Sequence, residues 1–276
     1  MGSPIYLRSG FLSQVRRHIL DKLFSGDRTW VVPVLSGPLK GFHLELNLRW
    51  EREFIFNRYE FMCVQILQDL ITPGMTCYDI GAHVGYYTLL FAKWVGSCGK
   101  VMAFEPNKPI HERLERNISL NLSRVQAIIR TNQIAISNRR GRHSFFKGGA
   151  TTTGRLVKIP EDASDFDLTL VESETLDSLV FGHGFPLPNV VKIDVEWMEN
   201  LVIAGMTRIL AEIRPFVFCE IHDAEMGQNV HSTLAGLDYR IFSGESRREW
   251  HEKEAVIKGH HILGLPREDE ISISKL

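Results

Sequence analysis

Several familiar features are missing from this 276-residue sequence, and each absence removes a class of function. No apolar run approaches the ~20 residues needed to cross a bilayer. The N-terminal stretch MGSPIYLRSGFLSQVRRHIL has neither the long apolar core nor the small-residue cleavage pattern of an export signal. An excess of one charge sign is absent as well. The formal net charge of -1 argues against holding nucleic acid or acidic membrane through bulk charge. Basic residues recur only near the C-terminus (Arg240, Arg247, Arg248, Lys253, Lys258), which reads as a solvated hairpin surface. The four cysteines, Cys63, Cys77, Cys98 and Cys219, show no C-x-x-C spacing, so neither a disulfide framework nor a zinc site is implied. Cys77 and Cys219 sit in apolar strands as small hydrophobes. No other ligand spacing marks a metal, and none is expected. What remains is a reduced, cytoplasmic, globular protein with no membrane span and no nucleic-acid partner.

One more absence is informative. Residues 75–107, MTCYDIGAHVGYYTLLFAKWVGSCGKVMAFEPN, read as strand, glycine-bearing turn, helix and strand. The first strand ends in Asp79 and the second in Glu105. That layout makes a pocket for an adenosine-bearing cofactor. A dinucleotide site needs the spacing G-x-G-x-x-G to bring backbone and helix N-terminus against a pyrophosphate. From Gly81 that spacing falls on His83 and Tyr86; from two residues earlier it begins at Asp79. A carboxylate repels a pyrophosphate and attracts a cationic, amine-bearing ligand such as S-adenosylmethionine. Glu105 suits the ribose of either cofactor, since a carboxylate accepts from both hydroxyls.

The run D-x-G-A-x-x-G-x-x-T from Asp79 to Thr88, with F-E-P-N at 104–107, resembles the class I methyltransferase signature. A later strand running into Lys192-Ile193-Asp194-Val195-Glu196 makes the resemblance narrower, to the FkbM-type methyltransferases. Looser matches at 38–41, at 174–177 and from Arg214-Pro215 to Glu220 extend it over roughly residues 30 to 265. The resemblance implies S-adenosylmethionine as cofactor and O-methylation of a small-molecule or carbohydrate hydroxyl. It also implies that Asp79 lies near the methionine amino group. Gly81 and Gly85 let the backbone approach, and Ala82, His83 and Tyr86 line the same turn. Glu105 takes the ribose, and Pro106-Asn107 lies under the adenine. The third strand end, around Asn132 to Ala135, reaches the ring, with Gln133 a candidate for its edge and Ala135 beside it.

The rest of the chain alternates strand and helix. Strands are expected at 75–79, 101–105, 125–130, 189–194, 216–220, 239–242 and 260–265, and helices at 61–70, 84–95, from Pro109, at 174–180, from Glu196 and at 228–236. This is an α/β fold, a doubly wound, mostly parallel, seven-stranded Rossmann-like sheet. Residues 143–171 read as irregular structure with short strands, including a loop at Gly148 to Thr153. Phe42, Leu44 and Leu46 alternate with polar residues as a half-buried strand of a hairpin. An amphipathic helix carrying Phe11, Val15, Ile19 and Leu23 precedes it. Such a helix more often packs on its own domain or on a partner subunit than on a membrane surface, which leaves a homo-oligomer open. Residues 1–50 are read as an extension packed on a methyltransferase domain of 51–276.

Acids stand at four strand ends: Asp79, Glu105, Asp194 and Glu220. Asp194 and Glu196 are the first candidates for the base that takes the acceptor's proton, and His222 is next, its ordinary pKa of ~6.5 being suitable. Asp194 also borders the cofactor. Glu220 and Trp197 are assigned to the acceptor. Glycine usually follows D-V-E in the family, but here Trp197 does, and its ring could stack on a substrate or join the core. Two other functions stay open: an NAD-linked oxidoreductase or epimerase, and a protein that binds the cofactor without transferring from it.

Overall fold

The structure is a computed structural model and describes residues 28–147, 154–157, 168–250 and 260–268. The N-terminal helix expected around 11–23 and the loop at 148–153 lie outside the described residues. The chain divides into two compact units, one ending at Tyr59 and the next beginning at Glu60, a different position from the sequence boundary at 50/51.

In the first unit, β1 (Trp30–Pro33) pairs antiparallel with β2 (His43–Leu46). Leu44 and Leu46 are fully buried, as the alternation requires. A 3-10 turn, Arg52–Phe56, follows. The Glu51 carboxylate accepts the Asn47 amide at 2.7 Å and ties this turn to the end of β2.

The second unit opens with α1 (Phe61–Leu70) and is built on seven strands. These are β3 (Thr76–Ile80), β4 (Lys100–Phe104), β5 (Ile128–Asn132), β10 (Val190–Ile193), β11 (Phe216–Ile221), β12 (Tyr239–Ser243) and β13 (His260–Pro266). The spatial order is β12-β13-β11-β10-β3-β4-β5. All neighbours run parallel except β13, which is antiparallel to both β11 and β12. Helices α2 (Tyr86–Val95) and α3 (Lys108–Ser119) connect the first three strands. Helices α4 (Glu199–Ala204), α5 (Thr207–Glu212) and α6 (Ala224–Gly236) serve the other half. The break between α4 and α5 falls at Gly205, where a side chain would meet the Ser137 carbonyl at 2.1 Å. Helix α6 starts earlier than 228 because the Asp223 carboxylate caps it, accepting the amides of Glu225 and Met226.

The sequence order reverses between β3 and β10, the place where such sheets bind ligands. Register then fixes which side chains meet. Asp79 is the cross-strand partner of Lys192, and Glu220 of His261. Because side chains alternate, Asp79, Lys192, Asp194 and Glu220 share one face near the strand tips. Tyr78, Ile80, Val191, Ile193, Cys219 and Ile221 share the other, where they join Val202, Ile209 and Val230 in the main core.

The described parts of 143–171 are strands. They contribute to a second sheet, β6 (Ala135–Ile136), β9 (Leu168–Glu174), β7 (Gly141–Lys147) and β8 (Gly154–Val157), in that spatial order. Its strands are held by main-chain pairing, and segments such as GRHSFFK carry no apolar alternation that would announce them. Strand β5 lies slightly later than 125–130, since Lys100 pairs with Ile128 and Phe104 with Asn132.

Candidate active site

The turn after β3 is built to lie against β10. Gly81 has φ +75°, and a Cβ there would stand 1.7 Å from the Asp194 carbonyl oxygen. Gly85 has φ +90°, with Leu114 of α3 2.6 Å from where its Cβ would be. Both positions are therefore restricted to glycine by conformation and by space. His83, between them, is also left-handed at φ 50°. Ala82 and Tyr86 are buried.

At the tip of β4, Glu105 is almost fully buried and held from both sides. Its Oε2 accepts the His83 amide at 3.0 Å, and its Oε1 accepts the Asn107 amide at 2.9 Å. Burial raises its pKa to about 7 against those two bonds. Each oxygen keeps a lone pair for a further donor. Beside it, Asn107 Oδ1 is buried and has no hydrogen-bond partner among the described residues. The strand after β4 ends at Asn132, whose carbonyl accepts the Glu105 amide at 3.1 Å. Gln133 follows it and is exposed. Ala135, three residues past the end of β5, belongs to β6 and packs on Val171.

Asp79 has no exposure. Its Oδ2 accepts from Thr88 Oγ1 at 2.6 Å, and its Oδ1 lies 3.5 Å from Lys192 Nζ. The chain's own Lys192 ammonium thus stands beside this carboxylate, whose Oδ1 makes no hydrogen bond among the described residues. Lys192 is nearly buried, reaches Asp194 Oδ2 at 3.2 Å, and lies 4.8 Å from the centre of the Tyr87 ring. Burial disfavours its charge, but Asp194 and Asp79 outweigh that and hold it above the ordinary lysine range. Burial pushes the Asp79 carboxyl up, and Lys192 and Thr88 oppose the shift. For Asp194 the balance goes the other way, with Lys192 and then His222 pulling it below its usual value despite burial.

Asp194, Glu196, Glu220 and His222 are brought together at the tips of β10 and β11. His222 Nε2 is 3.6 Å from both Glu196 and Glu220. Its Nδ1 is 2.5 Å from Glu199 Oε1 on α4. Burial opposes the charged ring, but the Glu199 bond and the nearby acids raise its pKa to about 9. Burial and the Asp194 charge raise Glu220 to about 8. Glu196 and Trp197 have φ of 37° and 71°. The second value lies where glycine is unstrained, which accounts for the glycine expected there and makes Trp197 a strained residue at the site's edge.

Two important residues carry no role in the sequence reading. Lys192 had a signal, since position i−2 from Asp194 on a strand shares its face. Glu199 had none, since its partner lies 23 residues away on another element.

The strand-turn-helix-strand pocket with its ribose-type carboxylate faces the Lys-x-Asp-x-Glu run across the switch point, and residues 79–241, which hold both, match the model of the methyltransferase FkbM domain. The chain belongs to that family. Hexuronic acid methyltransferase AglP of Haloferax volcanii is 30% identical over 159 residues, 58% of this chain and 61% of the relative. Protein-L-isoaspartate O-methyltransferase 2 of Arabidopsis thaliana is 33% identical over 61 residues, 22% of this chain and 20% of that one. Among solved structures, the methyltransferase FkbM of Methylobacillus flagellatus KT superposes with a TM-score of 0.50 at 14% identity, over 69% of this chain and 43% of that one. That last likeness concerns the fold. The chain spans less than two thirds of each of these relatives' lengths.

S-adenosylmethionine is the cofactor of this FkbM domain. The residues present fit it. Glu105 has acceptor capacity for two ribose hydroxyls, Asn107 Oδ1 awaits a donor, and no glycine-rich phosphate cradle is built. The cofactor carries no phosphate, so none is needed.

Proposed function

We propose that this FkbM-family chain is an S-adenosylmethionine-dependent O-methyltransferase acting on a hydroxyl of a small molecule, with sugars the leading acceptor class. The observation that carries the reading is the cluster of Asp194, Glu196, Glu220 and His222 at two strand tips beside the cofactor turn. The hexuronic acid methyltransferase among the relatives supports the sugar class.

S-adenosylmethionine, when bound, supplies an electrophilic methyl carbon and keeps the carbon–sulfur bonding pair on sulfur as the thioether leaves. The chain's residues do the rest. Glu105 accepts from the ribose hydroxyls and Asn107 from the adenine side. Asp79 and Thr88 fix Lys192, and Lys192 fixes Asp194 and keeps it ionised at the pocket wall. Glu196, at the end of its strained turn, accepts the acceptor hydroxyl's proton as the oxygen's lone pair forms the new carbon–oxygen bond. Such assistance contributes typically ~10²–10⁴-fold. Trp197 covers the acceptor with its ring. Holding oxygen and methyl carbon in line supplies much of the remaining acceleration.

The test is a panel of sugars and small alcohols incubated with methyl-labelled S-adenosylmethionine, using wild type and Glu196→Gln. Expected are a labelled O-methyl ether and a loss of ~10²–10⁴-fold in turnover for the variant, with S-adenosylhomocysteine affinity unchanged. Label on a nitrogen, or full turnover by the variant, would sink the assignment.

A further inference from the structure

Two groups of metal-type donors occur among the described residues: Glu60, Cys63 and His261, and Asp194, Glu220 and His222. Within each, the donor atoms all lie within 4.8 Å of one another. They differ in how far those atoms are already used. In the first, Tyr87 donates to Glu60 Oε2 at 2.6 Å, and His261 Nε2 is 3.2 Å from the same oxygen. His261 Nδ1 is 2.9 Å from Glu245. These are ordinary hydrogen bonds, and the group is closed on itself.

In the second, Asp194 is engaged by Lys192 at 3.2 Å and by a hydrogen bond with Glu220, and the donor left without a close partner is His222 Nε2. His222 Nε2 faces Glu220 Oε1 and Glu196 Oε2 at 3.6 Å each, too far for a hydrogen bond. Its other nitrogen is gripped at 2.5 Å by Glu199, a residue with no exposure. The second oxygen of Glu199 is buried with no hydrogen-bond partner among the described residues. A buried carboxylate holding one imidazole nitrogen, while the other faces carboxylates across an unbonded gap, is the support that metal-binding histidines have. Donors at roughly 2.0–2.2 Å from a cation stand about 3 Å apart when adjacent and about 4.3 Å apart when opposite. The donors here span up to 4.8 Å, so they must draw in by a few tenths of an ångström to close on a cation.

We propose that Asp194, Glu220 and His222 bind a divalent first-row cation of the manganese type, with Glu199 orienting His222. The mixed imidazole and carboxylate set favours such an ion over calcium. Resting on the hydroxyl-methylation reading, the cation also explains how Glu196 can serve as base. Bound to the cation, an aliphatic hydroxyl loses its proton to that carboxylate more readily than it does unassisted.

The experiment is titration of the full chain with Mn²⁺ by electron paramagnetic resonance, with and without saturating S-adenosylhomocysteine. One Mn²⁺ per chain is expected. Glu220→Gln and His222→Ala should weaken it by about 100-fold or more, and Glu199→Gln by about 10–100-fold. Cys63→Ala should leave it unchanged. Retained S-adenosylhomocysteine binding shows that each variant is folded. No Mn²⁺ bound by wild type, or Mn²⁺ lost in Cys63→Ala but kept in Glu220→Gln, would overturn the site. The two readings separate cleanly. Methyl transfer that runs in chelator with no Mn²⁺ bound removes the metal alone. Mn²⁺ bound as expected with no hydroxyl acceptor methylated leaves the site standing and removes the O-methylation reading.

Discussion

At the scale of single residues, the site is governed by what burial does to charge. Glu105 titrates at about 7 because it is buried, although two amides support its ionised form. Protonation would place a hydrogen on an oxygen that must accept from a ribose hydroxyl. S-adenosylhomocysteine affinity should therefore rise between pH 6 and pH 8, and calorimetry on Glu105→Gln should show that rise abolished. Asp79 tests a second point. The resemblance places it against the cofactor's amino group, whereas its oxygens here meet Thr88 and Lys192. If it acts by holding Lys192, Asp79→Ala leaves a buried ammonium poorly paired and should cost about 3–5 kcal/mol in urea unfolding. A variant as stable as wild type that binds cofactor poorly would restore direct contact. Trp197 occupies φ 71°, so Trp197→Gly relaxes the backbone while removing the ring. Acceptor KM should change tenfold or more, with S-adenosylhomocysteine affinity unchanged.

At the scale of elements, what was legible depended on whether the signal was local. Helix α1 was readable to the residue because its apolar face and the Pro73-Gly74 stop are local features. Strands β3 and β10 were readable because both faces are buried and the acids at their tips punctuate apolar runs. The second sheet was not, since β7 is defined by partners elsewhere in the chain and not by its own pattern. The site divided in the same way. Asp194 and Glu220 were named from strand-tip position, and Glu196 and His222 as base candidates two residues beyond them, while the Glu199 support and the Lys192 bridge needed the register. The joint between β3 and β10 is correspondingly fragile. Gly81→Ala would drive a Cβ into the Asp194 carbonyl, and should give a protein that is poorly soluble or lacks S-adenosylhomocysteine binding. A soluble variant binding at wild-type strength would show that the two tips need not touch.

At the scale of the whole molecule, the second unit holds its last strand through ionised groups. Glu245 accepts the His261 amide at 2.8 Å and lies 2.9 Å from its ring. Burial opposes the Glu245 charge, but the His261 bonds prevail and hold its pKa at about 2. A folded value below the unfolded one of ~4.3 means stabilisation that is complete above pH ~4.5 and is lost as pH falls toward 2. Melting temperature should drop between pH 5 and pH 3, and less steeply in Glu245→Gln. The position of β13 has a further consequence. It lies between β11 and β12, although it is made after both. While the ribosome is still short of His260, β12 has no neighbour to join and β11 presents a bare edge. That unfinished edge is an invitation to neighbouring nascent chains. The sheet closes by interleaving a strand made after both of its neighbours, so β13 must be synthesised before the edge of β11 is safe.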